Sequence, residues 1–232
     1  IVIFLLQEIP NKKTTNPGEN NINKEILTGV TFTEALKNKN LWFLILMAMC
    51  IFYAIMGMTT NAFLFLKDSG FNTQVASISA TLLFLGSLIG KISCGFFAED
   101  FGRKRVLLSY FIFLILGSTL LTLSVSNNNS YFIWFGLGSF GLGFGGIYTL
   151  KQLLSADLFG LKSLGKITGI INLTDTIGAG LGPVLTGIFF DRTGSYELSF
   201  LVILLVIIIS MIFASFLKIN DIEIEKRKLS QI

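Results

Sequence analysis

Two charged side chains lie deep inside apolar sequence. Lys91 sits in the run 80–95, where its neighbours are Leu, Ile, Phe, Gly and small residues, and Asp175 sits in the run 164–190. An ammonium in hydrocarbon costs about 2.5–3.5 kcal/mol on insertion scales, so it normally faces a polar cavity and has a task there. The simplest task is to attract an anion. Helix rise places Lys91 about 12 Å from Glu99, eight residues on, and Asp175 about 16 Å from Leu164. The two therefore share a depth near mid-membrane. An acid beside a lysine stabilises both charges, and an arriving carboxylate can compete with the acid for the lysine. Protonating Asp175 would then release Lys91 and couple the event to a proton. The alternatives are a purely structural ion pair, or an Asp175 in a vestibule open to one side. Tyr53, Asn61, Tyr148, Gln152 and Asn172 are the polar groups available to line a path, and each serves equally well as a helix–helix hydrogen bond.

The composition narrows the chemistry. The 232 residues contain no histidine, which removes the usual general base and zinc ligand. Cys50 and Cys94 both lie in apolar runs, where no disulfide framework is expected. No paired acids and no nucleophile–base pair are evident, so no enzyme activity, cofactor or metal is expected. Nor is a nucleic-acid partner. Hydrophobic residues make up 52%, too large a share for a soluble core of this length. Phe and Gly at 23 each match packed membrane helices.

Six runs reach the roughly 20 residues that cross a bilayer: 41–66, 73–98, 106–125, 131–154, 164–190 and 198–217. They are too long and too uniformly apolar for barrel strands. Gly182-Pro183 is expected to break or bend the fifth, because proline lacks a donor and clashes with the preceding turn. Gly136, Gly138, Gly141, Gly143, Gly145 and Gly146 make the fourth unusually smooth, for close packing or for a flexing gate. Of the 18 Lys and Arg, fifteen fall on one side of these spans, Lys151 counted among them. Lys67 and Arg192 fall on the other, and Lys91 lies within. By the positive-inside rule the basic side is cytoplasmic, which puts the loop 7–40 and the tail 219–232 on the cytoplasmic side of a plasma or inner membrane. Residues 1–6 read as the end of a helix whose beginning is missing. The loop 7–40 reads as a polar tether with a short amphipathic helix near 31–37, and 41–218 as the membrane domain.

The second span ends Gly95-Phe96-Phe97-Ala98-Glu99-Asp100-Phe101-Gly102, and the fifth ends Gly187-Ile188-Phe189-Phe190-Asp191-Arg192-Thr193-Gly194. Both show glycine, an acid four residues on, and glycine three further, at ends that face opposite sides. That is the trace a three-plus-three inverted repeat leaves. The expected fold class is thus an all-α membrane protein with six transmembrane helices in a 3+3 inverted repeat.

At these residues the chain resembles the major facilitator superfamily, whose cytoplasmic signature reads Gly-x-x-x-Asp-Arg-x-Gly-Arg-Arg/Lys. Here Gly95, Glu99, Gly102, Arg103 and Lys104 stand at its positions, with Glu99 for the aspartate and Asp100 for the first arginine. The resemblance implies one half of a major facilitator fold, and a loop that latches one conformer by bringing the acid to a helix N-terminus and basic residues. An ordinary positive-inside turn is the plainer reading. Asp157-Leu158-Phe159-Gly160, Gly169-Ile170-Ile171-Asn172-Leu173 and the stretch from Gly182 to Tyr196 are similar to the carboxy-terminal half of monocarboxylate transporters and oxalate/formate antiporters. That similarity implies a carboxylate-binding cation at Lys91, where those groups carry arginine, and an acidic position at Asp175. Ser87 stands where the monocarboxylate transporters have a further aspartate. The implied partners are a small anionic substrate, a proton, the lipid bilayer and a missing amino-terminal half. The implied activity is secondary transport by alternating access. Other readings are a different facilitator substrate, such as a sugar phosphate or drug, or a membrane fragment inactive without its other half.

Overall fold

The computed structural model describes residues 29–127 and 130–218. The helix end expected at 1–6, most of the tether and the tail 219–232 lie outside the described residues. A short helix α1 (Phe32–Lys37) precedes six long ones: α2 (Lys39–Asp68), α3 (Thr73–Asp100), α4 (Arg103–Asn127), α5 (Ser130–Phe159), α6 (Leu164–Thr193) and α7 (Tyr196–Phe216). Each of the six is long and apolar enough to cross a membrane. Among the described residues the one non-helical pairing is an isolated bridge between Gly29 and Gly160.

The packed stripes of these helices explain the sequence pattern. In α3 the buried positions are Ala76, Ser79, Leu83, Gly86, Ser87, Gly90, Cys94 and Ala98. In α6 they are Ile167, Ile171, Asp175, Gly178, Gly182 and Thr186. Spacings of three and four put each set on one narrow face, and the small residues let backbones approach closely. The remaining faces are apolar and exposed, with Phe84, Leu88, Ile92 and Phe96 on α3. Such faces carry no penalty in hydrocarbon.

Helix α2 packs chiefly on α6 and α7, and α5 packs chiefly on α3 and α4. Exchanging the first three long helices for the last three maps one arrangement onto the other. The correspondence holds at the residue level. A methyl group on Gly86 would run into the backbone of Gly138 and one on Gly90 into that of Leu142. On the other side, Gly178 is closed off by Met49 and Gly182 by Tyr53. A Cβ on Gly90 would lie 3.0 Å from the Gly146 nitrogen, and one on Gly182 would lie 2.9 Å from the Gly57 nitrogen. Positions in α3 thus recur in α6 ninety-two residues later, and those in α2 recur in α5 eighty-nine residues later.

One end of the bundle, the basic end, is tied by polar contacts. The Asn40 amide donates to the Lys218 carbonyl, and the Lys218 backbone N–H donates back to Asn40. Lys104 Nζ donates to the carbonyls of Ser215 and Leu217, closing the last turn of α7. Val30 donates to the Phe159 carbonyl, so the segment before α1 is pinned to the end of α5. At the other end the Tyr196 hydroxyl donates to Asp68, and Tyr196 stacks on Phe190 at 4.2 Å. Helices α3 and α6 therefore run in opposite senses.

Two expectations need correction. The fifth span is not broken at Pro183, because α6 continues as helix to Thr193. Gly182 serves close packing on Tyr53 instead. The fourth span does not stop at 154, because α5 runs to Phe159, with the Ser155 hydroxyl bonded to the Lys151 carbonyl and Phe159 fully buried.

Candidate functional site

The extension of α5 moves Lys151 from the basic margin into the interior. It lies eight residues before Phe159, as Lys91 lies eight before Glu99, so both residues stand about 12 Å along their helices from the basic end. Lys151 pairs with the Asp175 carboxylate of α6, and the two side chains are only 3% and 6% exposed. The Lys151 ammonium also lies 4.6 Å from the centre of the Phe52 ring and 5.2 Å from that of Tyr148. Phe52 comes from α2, so three helices meet at this ammonium. Two aromatic faces and a carboxylate supply what the lost water would have given.

Lys91 is exposed and lies over the same ring, its Nζ also 5.2 Å from the Tyr148 centroid. It makes no ion pair and no hydrogen bond with any described residue. The expected Lys91–Asp175 pair is not formed. Helices α3 and α6 share no packed interface. The helix beside α6 at this level is α5, so its lysine takes the acid. Asp175 Oδ1 is buried and has no hydrogen-bond partner among the described residues. The cluster holds two ammonium groups and one carboxylate, a net charge of +1 within the apolar zone.

The other expected site residues divide. Tyr148, 37% exposed, joins the two lysines. Asn172 is exposed on α6 and Tyr53 is buried on α2, neither with a side-chain hydrogen bond among the described residues. Asn61 is turned into the α2–α6 interface, donating to the Gly57 carbonyl at 2.7 Å and to Thr186 Oγ1 at 2.6 Å. Its amide is engaged in helix packing. Lys151 and Phe52 were missed. The signal available was Lys151 three residues after Tyr148, on one helix face inside a smooth run. Among the described residues no three Cys, Asp or Glu side chains converge as metal ligands do.

At the basic end, Arg103 pairs with Asp157 at the close of α5 and donates to the Leu153 carbonyl at 3.5 Å. Glu99 is exposed and unpaired among the described residues. The signature loop is thus held through Arg103 and Lys104. Gly102, at φ +82°, supplies the left-handed turn between α3 and α4, while Gly95 is exposed with open space beside it.

A family model described as the Major Facilitator Superfamily matches residues 70–231, and the chain belongs to that family. It is 36% identical over 127 residues to the sialic acid transporter NanX of Escherichia coli, covering 52% of this chain and 30% of that protein. It is 34% identical over 119 residues to the MFS-type efflux transporter phmH of Phaeosphaeria nodorum, covering 51% of this chain and 20% of that protein. The matched region therefore spans a third or less of these relatives. Among solved structures, it superposes on the transporter FucP in its outward conformation with a TM-score of 0.67 at 17% identity, covering 94% of this chain and 51% of that one. A bacterial homologue of human drug peptide transporters gives 0.70 at 17% identity, covering 76% and 40%. These likenesses bear on the fold alone.

Proposed function

We propose that this chain is the six-helix half of a secondary active transporter for small organic anions, monocarboxylate-like in class, that works by alternating access. The observation that carries the reading is the unpaired ammonium of Lys91, held over Tyr148 next to a neutral Lys151–Asp175 pair. A cation without a counter-charge at this depth is a standing site for an anion. The NanX name points the same way, since a sialic acid carries a carboxylate. A proton on Asp175 would free Lys151 as a second donor, coupling anion binding to protonation. The partner is an amino-terminal half laid on the exposed faces of α3 and α6, with the basic end cytoplasmic.

The test is uptake of labelled lactate, formate and oxalate by vesicles carrying the full-length protein. Lys91→Ala should lower uptake at least tenfold at equal protein level. Wild-type flux in that variant would refute the binding role. An Asp175→Asn variant with unchanged flux and pH dependence would remove the proton from the scheme.

A further inference from the structure

We infer that Asp175 sets the charge of the anion this site accepts. The inference rests on the proposed anion-binding role of Lys91 and assigns Asp175 a specificity function within it. Lys91 and Lys151 both stand 5.2 Å from the centre of one ring, so their nitrogens lie within about twice that distance of each other. A four-carbon dicarboxylate is long enough to address both. Asp175 prevents this by holding Lys151, and so leaves one unit of positive charge for an incoming anion.

Among the described residues the arrangement has no alternative neutraliser. No described residue other than Asp175 forms an ion pair with Lys151. The aromatic faces of Phe52 and Tyr148 hold an ammonium without cancelling its charge. Asp175 Oδ1 adds no second tie, so the carboxylate is bound through Lys151 and through no other described side chain. Removing the acid charge frees Lys151 where it stands, already cradled by rings. At roughly 8 Å and an effective dielectric of about 20, one unit of charge alters anion affinity about thirtyfold. A monoanion meets a matched site in the wild type. A dianion meets one free cation and the field of a neutral pair.

The experiment uses the full-length purified protein and equilibrium binding of labelled butyrate and succinate, which share a four-carbon chain and differ by one charge at pH 7.5. Wild type should hold butyrate at least tenfold more tightly than succinate. Asp175→Asn should move that ratio at least tenfold toward succinate. The double variant Lys151→Met/Asp175→Asn, which again has one ammonium, should restore the butyrate preference and so exclude a folding defect as the cause. A ratio unchanged within twofold in Asp175→Asn overturns the inference, as does a succinate preference that survives in the double variant. Lys91→Ala separates the two levels. If it abolishes binding while the ratio ignores Asp175, the anion site stands and the charge filter falls. If it leaves binding intact, or wild type binds neither probe, the anion reading and this inference fall together.

Discussion

The α2–α6 and α3–α5 interfaces are built on the same backbone contacts and filled with different side chains. Gly86 and Gly90 against α5 do what Gly178 and Gly182 do against α2. Yet the repeat counterpart of Asp175 is Leu83, that of Lys151 is Ala62, and that of Lys91 is Pro183. Leu83 and Ala62 are buried with no polar partner to satisfy. The fold thus accepts apolar residues where the site places charge. A buried ion pair is weak grounds for stability, since desolvation offsets its attraction. The charges break the symmetry of the repeat, and under the proposed function their use lies in what the protein handles.

Removing one member of the pair should give the largest effect. Lys151→Met leaves the Asp175 charge buried without its cation, at a cost of about 3–5 kcal/mol. Thermal unfolding of the full-length protein should show this loss, and adding Asp175→Asn should recover most of it. Next come the shared glycines. Gly90→Val and Gly182→Val push a branched side chain into facing backbone and should cost about 1–3 kcal/mol or more each. The two values should agree within about 1 kcal/mol if the interfaces are equivalent, and a large disparity in melting temperature would break the comparison.

A finer test concerns Asn61 and Thr186, which bond across α2–α6 where the counterparts Leu150 and Cys94 are apolar. Asn61→Ala should cost about 1–2 kcal/mol through the lost hydrogen bond and packing. The pair Asn61→Leu/Thr186→Val should be close to neutral in the same melting assay.

The smallest effect lies outside both interfaces. The Glu34 carboxylate accepts from the Thr31 backbone N–H at 2.8 Å, closing a capping box on α1. That bond, first among its causes, holds the Glu34 carboxyl below the usual range. A lowered folded-state value stabilises the cap above the ordinary carboxylate pKa, and this is lost as pH falls through the lower one. NMR carbonyl shifts of residues 32–37 should report fraying of α1 on acidification, and Glu34→Gln should flatten that response.

The number of spans, the helix near 31–37 and the repeat were legible in the sequence, because hydrophobic run length and residue spacing encode them. The partner of Asp175 was not. Helix rise gives depth along an axis, while the neighbour across an interface depends on which glycine faces meet, as Gly178 and Gly182 do with α2. Lys151 was misread because a lysine near the end of an apolar run looks like a margin residue until the helix is seen to continue. Pro183 does not interrupt α6, so of the expected break or bend the break does not occur.

The central claim is that this bundle folds without its three interior charges and uses them on an anion. It is tested most directly by one triple variant, Lys91→Met/Lys151→Met/Asp175→Asn, measured for both melting temperature and anion uptake in the full-length protein. The account predicts a melting temperature at or above the wild type with uptake reduced to background. A protein that fails to fold, or one that folds and still transports the anion, would contradict it.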